Sequence, residues 1–108
     1  MTFALVNHLD YVAALPPGHS FPMDKYGLLM LALADQSADF AVHSPDPAPR
    51  EWIEAVHDPV YVAAVFDGTL PREAERRIGF PVTPSMVRRS QLVIGGTYLA
   101  ARTALRSG

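Results

Sequence analysis

The chain has 108 residues, no cysteine, a hydrophobic fraction of 49% and a formal net charge of -2. That length holds at most one small domain, and the composition is globular rather than disordered. The lack of cysteine excludes disulfides and thiolate zinc sites and makes a reducing, cytoplasmic setting the default, while the slight negative charge gives no electrostatic case for nucleic acid.

The N-terminal stretch MTFALVNHLDYVAALPP has no basic flank and no long apolar core, so it does not read as a signal peptide. Phe3 to Val6 is a short apolar run ended by Asn7, and it predicts a buried first strand. Pro16, Pro17 and Gly18 put a loop between Asp10 and Ser20. Ser20 before Phe21-Pro22 has the form of an N-cap followed by a proline in the first helical turn. The spacing predicts a helix from Phe21 to Gln36. Its middle, YGLLMLALA, is apolar on nearly every face, which predicts burial on more than one side. Tyr26 to Ala34 is also the longest uncharged, strongly apolar run, and it is too short for a bilayer, which takes roughly 20 residues.

Phe40-Ala41-Val42 is the candidate second strand. SPDPAP, Ser44 to Pro49, carries too many prolines for regular structure. Arg50 to His57 predicts a short helix with Trp52, Ile53 and Val56 on one side. Asp58-Pro59 starts another, with Asp58 as the cap and Pro59 at the first helical position; Gly68 ends it. LPREAERR is a polar connection with one helical turn. Thr83-Pro84 is a further cap-and-proline start, and a long helix should run from Pro84 to Arg106. From Leu92 to Ala101 no residue is charged. Gly95-Gly96 lies within this helix, where each glycine costs about 1 kcal/mol relative to alanine; close approach of another element would account for the pair. Two short strands and four or five helices give such a helix too few neighbours. Either the chain self-associates or its cover lies in a longer protein.

The chemistry-bearing residues are sparse. His8, His19, His43 and His57 are 11, 24 and 14 positions apart, without the close pair usual in zinc sites. His57-Asp58 reads either as an imidazole and carboxylate facing a pocket or as a helix-terminal histidine beside a cap. Lys25 reads as a buried base or as a lysine that snorkels or pairs with Asp24. Arg76-Arg77 and Arg88-Arg89 read as phosphate ligands or as a solvated face blunted by Glu73 and Glu75. No Ser-His-Asp arrangement, phosphate loop or dinucleotide fingerprint is present.

Three strings in order carry a resemblance: GHSFPMDKYGLL (Gly18 to Leu29), VHDPVYVAAV (Val56 to Val65) and RRIGFPVTPSMVRRSQLVIGGTYLAAR (Arg76 to Arg102). Together they resemble the N-terminal third of the histone-deacetylase-like superfamily, in particular its bacterial, class IV-like members with an H-x-F-P-M-x-K-Y opening. The resemblance implies an α/β fold, the helix-rich N-terminal portion of an arginase/deacetylase-like three-layer domain with a parallel sheet, with residues 1–108 forming part of that single domain. It implies a zinc-dependent hydrolase acting on acetyl-lysine or an acetylated small amine. In that family zinc polarises the amide carbonyl and lowers the pKa of its water. The G-G-x-H-H and D-x-H motifs that supply base and metal ligands are absent here, and Gly95-Gly96 is not one of them. The resemblance therefore implies no catalytic residue and no zinc in this chain alone, with the remainder expected downstream. It places His19, Lys25, His57 and Asp58 at the periphery of a substrate pocket. Lys25 stands where many relatives carry arginine near the pocket floor. In some relatives a substrate-holding aspartate stands two residues after the histidine that matches His57; that place is Pro59 here. The charge balance and the shortness of the apolar runs predict no direct nucleic-acid partner and no membrane partner. The alternative is a truncated, non-catalytic helical module that self-associates through Leu92 to Ala101.

Overall fold

The structure is a computed structural model and describes residues 3–107. Among the described residues the order is β1 (Phe3–Val6), a 3-10 turn (Leu9–Tyr11), α1 (Lys25–Leu33) running into a 3-10 segment (Ala34–Asp39), β2 (Phe40–His43), α2 (Arg50–Glu54), α3 (Pro59–Asp67), α4 (Arg72–Ile78) and α5 (Pro84–Ser107). β1 and β2 pair in parallel, with Phe3 opposite Phe40 and Val6 opposite His43. A parallel pair needs a crossover, and α1 supplies it. The chain is thus a helix-rich mixed α/β structure with a small parallel sheet. No described helix is long and apolar enough to cross a membrane.

Two of the cap-and-proline starts form as the residues dictate. Asp58 Oδ1 accepts the N–H groups of Val60 (2.8 Å) and Tyr61 (3.3 Å), and Gly68 closes α3 at φ 72°. Thr83 Oγ1 accepts the N–H of Met86 at 3.3 Å and opens α5. The third start fails. The N–H of Phe21 goes to the His19 ring at 3.1 Å, and Met23 turns back onto the Phe21 carbonyl at 2.8 Å. The chain therefore stays in turns until Lys25, and Ser20 caps nothing. LPREAERR supplies all of α4 but its last residue, not one turn: Pro71 opens it, Arg77 pairs with Glu73, and Gly79 ends it at φ 90°.

Burial departs most from expectation in α1, which contains no buried residue: Leu28, Leu29 and Leu31 are all exposed. The first strand is likewise open, with Phe3 exposed and only Leu5 and Val6 half-buried. The core is small. Ala13, Met23 and Met86 form its centre, with Leu15, Phe21 and Phe80 against it. Leu92 is fully buried, so the apolar run of α5 is covered on one side only; Ile94 and Tyr98 are exposed.

Gly95 and Gly96 seat two different elements. A Cβ on Gly95 would collide with the carbonyl of Asp46 and stand 3.2 Å from the amide nitrogen of Ala48. A Cβ on Gly96 would collide with the Tyr11 hydroxyl and stand 3.3 Å from Val6 Cγ1. Gln91 clamps the first of these elements through both its main chain and its side chain. Its carbonyl accepts the Ala48 N–H at 2.9 Å, and its Nε2 donates to the Ala48 carbonyl at 3.1 Å. The proline-rich loop is thus held against α5, with Pro45 and Ala48 buried.

The result is a slab of 48 × 35 × 17 Å with a radius of gyration of 15.9 Å. A compact domain of this length has a radius of about 13 Å. The accessible surface is 7554 Å², against roughly 5,900 Å² for a compact monomer of this mass.

These contacts set opposite signs for two glycine substitutions. Gly27, in α1, has open space around its missing Cβ, so Gly27→Ala should stabilise by up to about 1 kcal/mol. Gly95→Ala should destabilise by roughly 1–3 kcal/mol, because the backbone it meets cannot step aside. Thermal unfolding followed by circular dichroism distinguishes them; a Gly95→Ala chain as stable as its parent would mean that the loop does not rest on α5.

Candidate functional site

The His19 side chain is positioned by a tight turn. Pro17 and the positive-φ Gly18 occupy its centre, and the His19 N–H closes it on the Pro16 carbonyl at 3.1 Å, the type II pattern. His19 Nδ1 accepts from the Phe21 N–H, which places the ring proton on Nε2; that nitrogen donates to the Gly79 carbonyl at 2.9 Å. The imidazole also lies on the Phe80 ring, with centroids 5.3 Å apart and planes at 16°. Phe21 meets the same ring edge-on at 5.0 Å. Both nitrogens of His19 are thereby spent joining the loop before α1 to the connection between α4 and α5.

Lys25 stands beside this joint. Its ammonium lies 5.0 Å from the Phe21 ring centre and 5.1 Å from that of Tyr26. Arg89 of α5 approaches the same two rings at 5.8 and 5.5 Å. Its Nε donates to the Tyr11 carbonyl at 2.8 Å, and a terminal nitrogen donates to the Tyr26 hydroxyl at 2.9 Å. Tyr11 lies edge-on to Tyr26 at 5.7 Å. Burial, and the neighbouring Tyr26, push the Tyr11 phenol above its ordinary range. Two cations thus share one aromatic pair, and no described ion pair involves either of them. Such an arrangement stabilises cations through the ring quadrupoles and leaves their charge for an anion.

His57 and Asp58 are adjacent but do different things. Both acceptor contacts of Asp58 go to the first turn of α3. His57 borders an apolar cavity of about 210 Å³ between α3 and α5, walled by Ile53, Val62, Phe66 and Ile94 among others. His19 borders a different, more open depression with Arg72, Arg76 and Phe80. The structure therefore joins His19 to Lys25 through Phe21 and leaves His57 and Asp58 apart from them, at the start of α3. Among the described residues no group of three or more His, Cys, Asp or Glu comes together as a metal site.

The arginine pairs divide because adjacent positions on a helix point about 100° apart. Arg88 pairs with Asp10 at 2.7 Å, while Arg89 takes Tyr11 and Tyr26. Sequence reasoning missed Tyr11 and Tyr26 as partners. The only local signal was an arginine beside an apolar run, with its partners more than 60 positions away.

No protein-family model matches the chain. The chain is 42% identical, over 110 aligned positions, to an uncharacterized protein of Picosynechococcus sp.. That alignment takes in the whole of this chain and 37% of the relative. The chain thus spans little more than a third of the length of the protein it matches.

Two expectations follow from these contacts. Asp58→Ala should cost about 1 kcal/mol, and Asp58→Asn much less, since asparagine caps as well as aspartate. Equal losses in denaturant unfolding would mean that the cap is not what Asp58 contributes. The second concerns acid. The hydrogen bond from Arg88 holds the Asp10 carboxyl below the usual aspartate range. A depressed carboxyl stabilises the fold above its unfolded pKa, and that contribution fades as pH falls through the folded value. The parent should therefore lose stability below about pH 4 more steeply than Asp10→Asn, by a small margin, as the pair is exposed. Parallel acid unfolding curves for the two would exclude this.

Proposed function

We propose that this chain is part of a zinc-dependent deacetylase with the arginase/deacetylase fold, a hydrolase of acetyl-lysine or acetylated small-amine amides. The observation that carries the reading is the string from Arg76 to Arg102. Each of its distinctive residues has a structural role. Gly79 ends α4, Phe80 receives His19 and Phe21, Thr83 caps α5, and Gly95-Gly96 seat a loop and a strand. A string that holds such roles in order is what a shared domain requires. A parallel pair with a crossover helix is also the starting unit of such a sheet.

On this reading the chain contributes scaffold and pocket periphery. Lys25 and Arg89, against Phe21 and Tyr26, offer positive charge to a carboxylate product or to an acidic substrate group. His57 borders an apolar slot suited to an alkyl chain. Among the described residues no group is arranged to hold zinc, and on this reading the ligands and the general base come from the longer protein. A second reading, a self-associating helical module, draws on the exposed Ile94 and Tyr98 of α5.

The intact Picosynechococcus relative and this chain together test the proposal. The relative should bind one zinc per chain and hydrolyse an acetyl-lysine peptide or an acetylpolyamine, with activity lost to a chelator and restored by zinc. This chain alone should bind no stoichiometric zinc and hydrolyse neither substrate. A metal-free, inactive relative would sink the deacetylase reading. A stable oligomer of the isolated chain at micromolar concentration would favour the module instead.

A further inference from the structure

Gly95, Tyr98, Leu99 and Arg102 stand at i, i+3, i+4 and i+7 of α5, so they share one side of the helix. The proline-rich loop and the start of α2 lie opposite them, and a cavity of about 310 Å³ separates the two. Small-molecule sites begin at about 300 Å³. The walls of this cavity are fixed. The Gln91–Ala48 clamp and the approach of the Asp46 carbonyl to Gly95 hold the loop against α5, and Pro47 and Pro49 restrict its backbone. A wall in place before a ligand arrives lowers the ordering cost of binding.

Three chemistries follow one another along the lining. Asp46 stands at the Gly95 end. In the middle the Trp52 and Tyr98 rings meet edge to face, with centroids 4.9 Å apart and planes at 64°. The rings are 43% and 48% exposed, so the corner they form is open to a ligand. Arg102 stands at the far end, two helical turns or roughly 10 Å from Gly95. Helical side chains lean toward the N-terminus, which directs Arg102 back over the turn that carries Tyr98. Among the described residues neither Asp46 nor Arg102 makes a salt bridge or a side-chain hydrogen bond. They border one cavity without pairing with each other. A plain cation here would meet Arg102, and a plain anion would meet Asp46. A molecule that carries both charges satisfies both ends: aromatic faces, tryptophan above all, attract an ammonium, and a guanidinium grips a carboxylate with its fork of donors.

We propose that this cavity binds a small zwitterion, an amino acid or a betaine, with its ammonium between Asp46 and the Trp52–Tyr98 corner and its carboxylate on Arg102. The site shares no lining residue with the depressions beside His19 and His57, and it does not depend on the deacetylase reading.

Trp52 is the only tryptophan in the chain, so tryptophan emission reports on this cavity alone. Glycine betaine, 4-aminobutyrate and 6-aminohexanoate carry their two charges at increasing separation. At least one of them should change the Trp52 emission saturably, and their order of affinity measures the spacing of the two ends of the site. Choline, which lacks the carboxylate, and acetate, which lacks the ammonium, should bind roughly tenfold more weakly than the best zwitterion. Arg102→Gln should weaken that zwitterion about tenfold and leave choline unchanged, whereas Arg102→Glu should raise the affinity for choline. Asp46→Asn should weaken the zwitterion and choline alike. Both positions are exposed, so the circular dichroism and Tm of these variants should match the parent. No saturable change with any of the three zwitterions would overturn the inference. So would choline binding as tightly as the best zwitterion, or a zwitterion affinity that Arg102→Gln does not alter. Emission that shifts with protein concentration and ignores the zwitterions would assign this face to a second copy of the chain and overturn it too. Zinc binding and hydrolysis by the longer protein bear on the deacetylase reading alone.

Discussion

Close contact at Gly95 and Gly96 is the constraint on which the rest of the arrangement depends. Two side chains reduced to hydrogen let α5 accept a loop on one flank and a tyrosine and strand on the next. Helical propensity argues against glycine at both places, by about 1 kcal/mol each. The contacts reverse that preference. The Gln91–Ala48 clamp fixes the loop lengthwise, so the chain leaving β2 meets α5 at one height only. Tyr11, seated on Gly96, brings the Leu9–Tyr11 turn and its neighbour β1 to the same helix.

Around that notch much of the polar chemistry joins one element to another. His19 is tied at both nitrogens, Asp58 is tied to α3, and Arg88 and Arg89 fasten α5 to the turn after β1. Glu75 accepts the Val82 N–H at 2.7 Å and so shapes the approach to α5. Lys25 lies over the Phe21 and Tyr26 rings instead, and His57 borders an apolar cavity.

Much of this was legible in the residues, and the reasons are local. Asp58-Pro59 and Thr83-Pro84 formed as written because nothing competed for the first N–H groups of their helices. Ser20-Phe21-Pro22 looked alike and failed because Pro22 has no N–H to give a cap and the Met23 N–H goes to the Phe21 carbonyl. α4 hid because its exposed, salt-bridged turns carry no apolar periodicity. The glycine pair announced a close contact but not its partners, which lie about 50 and 85 positions away in sequence. Site geometry was the least legible part. The joint of His19 with Gly79 and Phe80 and that of Arg89 with Tyr11 and Tyr26 depend on long-range packing that no spacing records. The burial expected for α1 came from composition alone, and composition does not say whether a neighbour is present.

The seat at Gly96 also sets an order of events during synthesis. β1 leaves the ribosome before β2 and α5, and its nearest helical support appears about ninety residues later. At about 5–20 residues per second that is a wait of roughly 5 to 18 seconds. Through the first part of that interval the strand has neither its parallel neighbour nor its helix. β1 is therefore secured long after it is made, and its unpaired backbone is the natural target for any chaperone that attends the nascent protein.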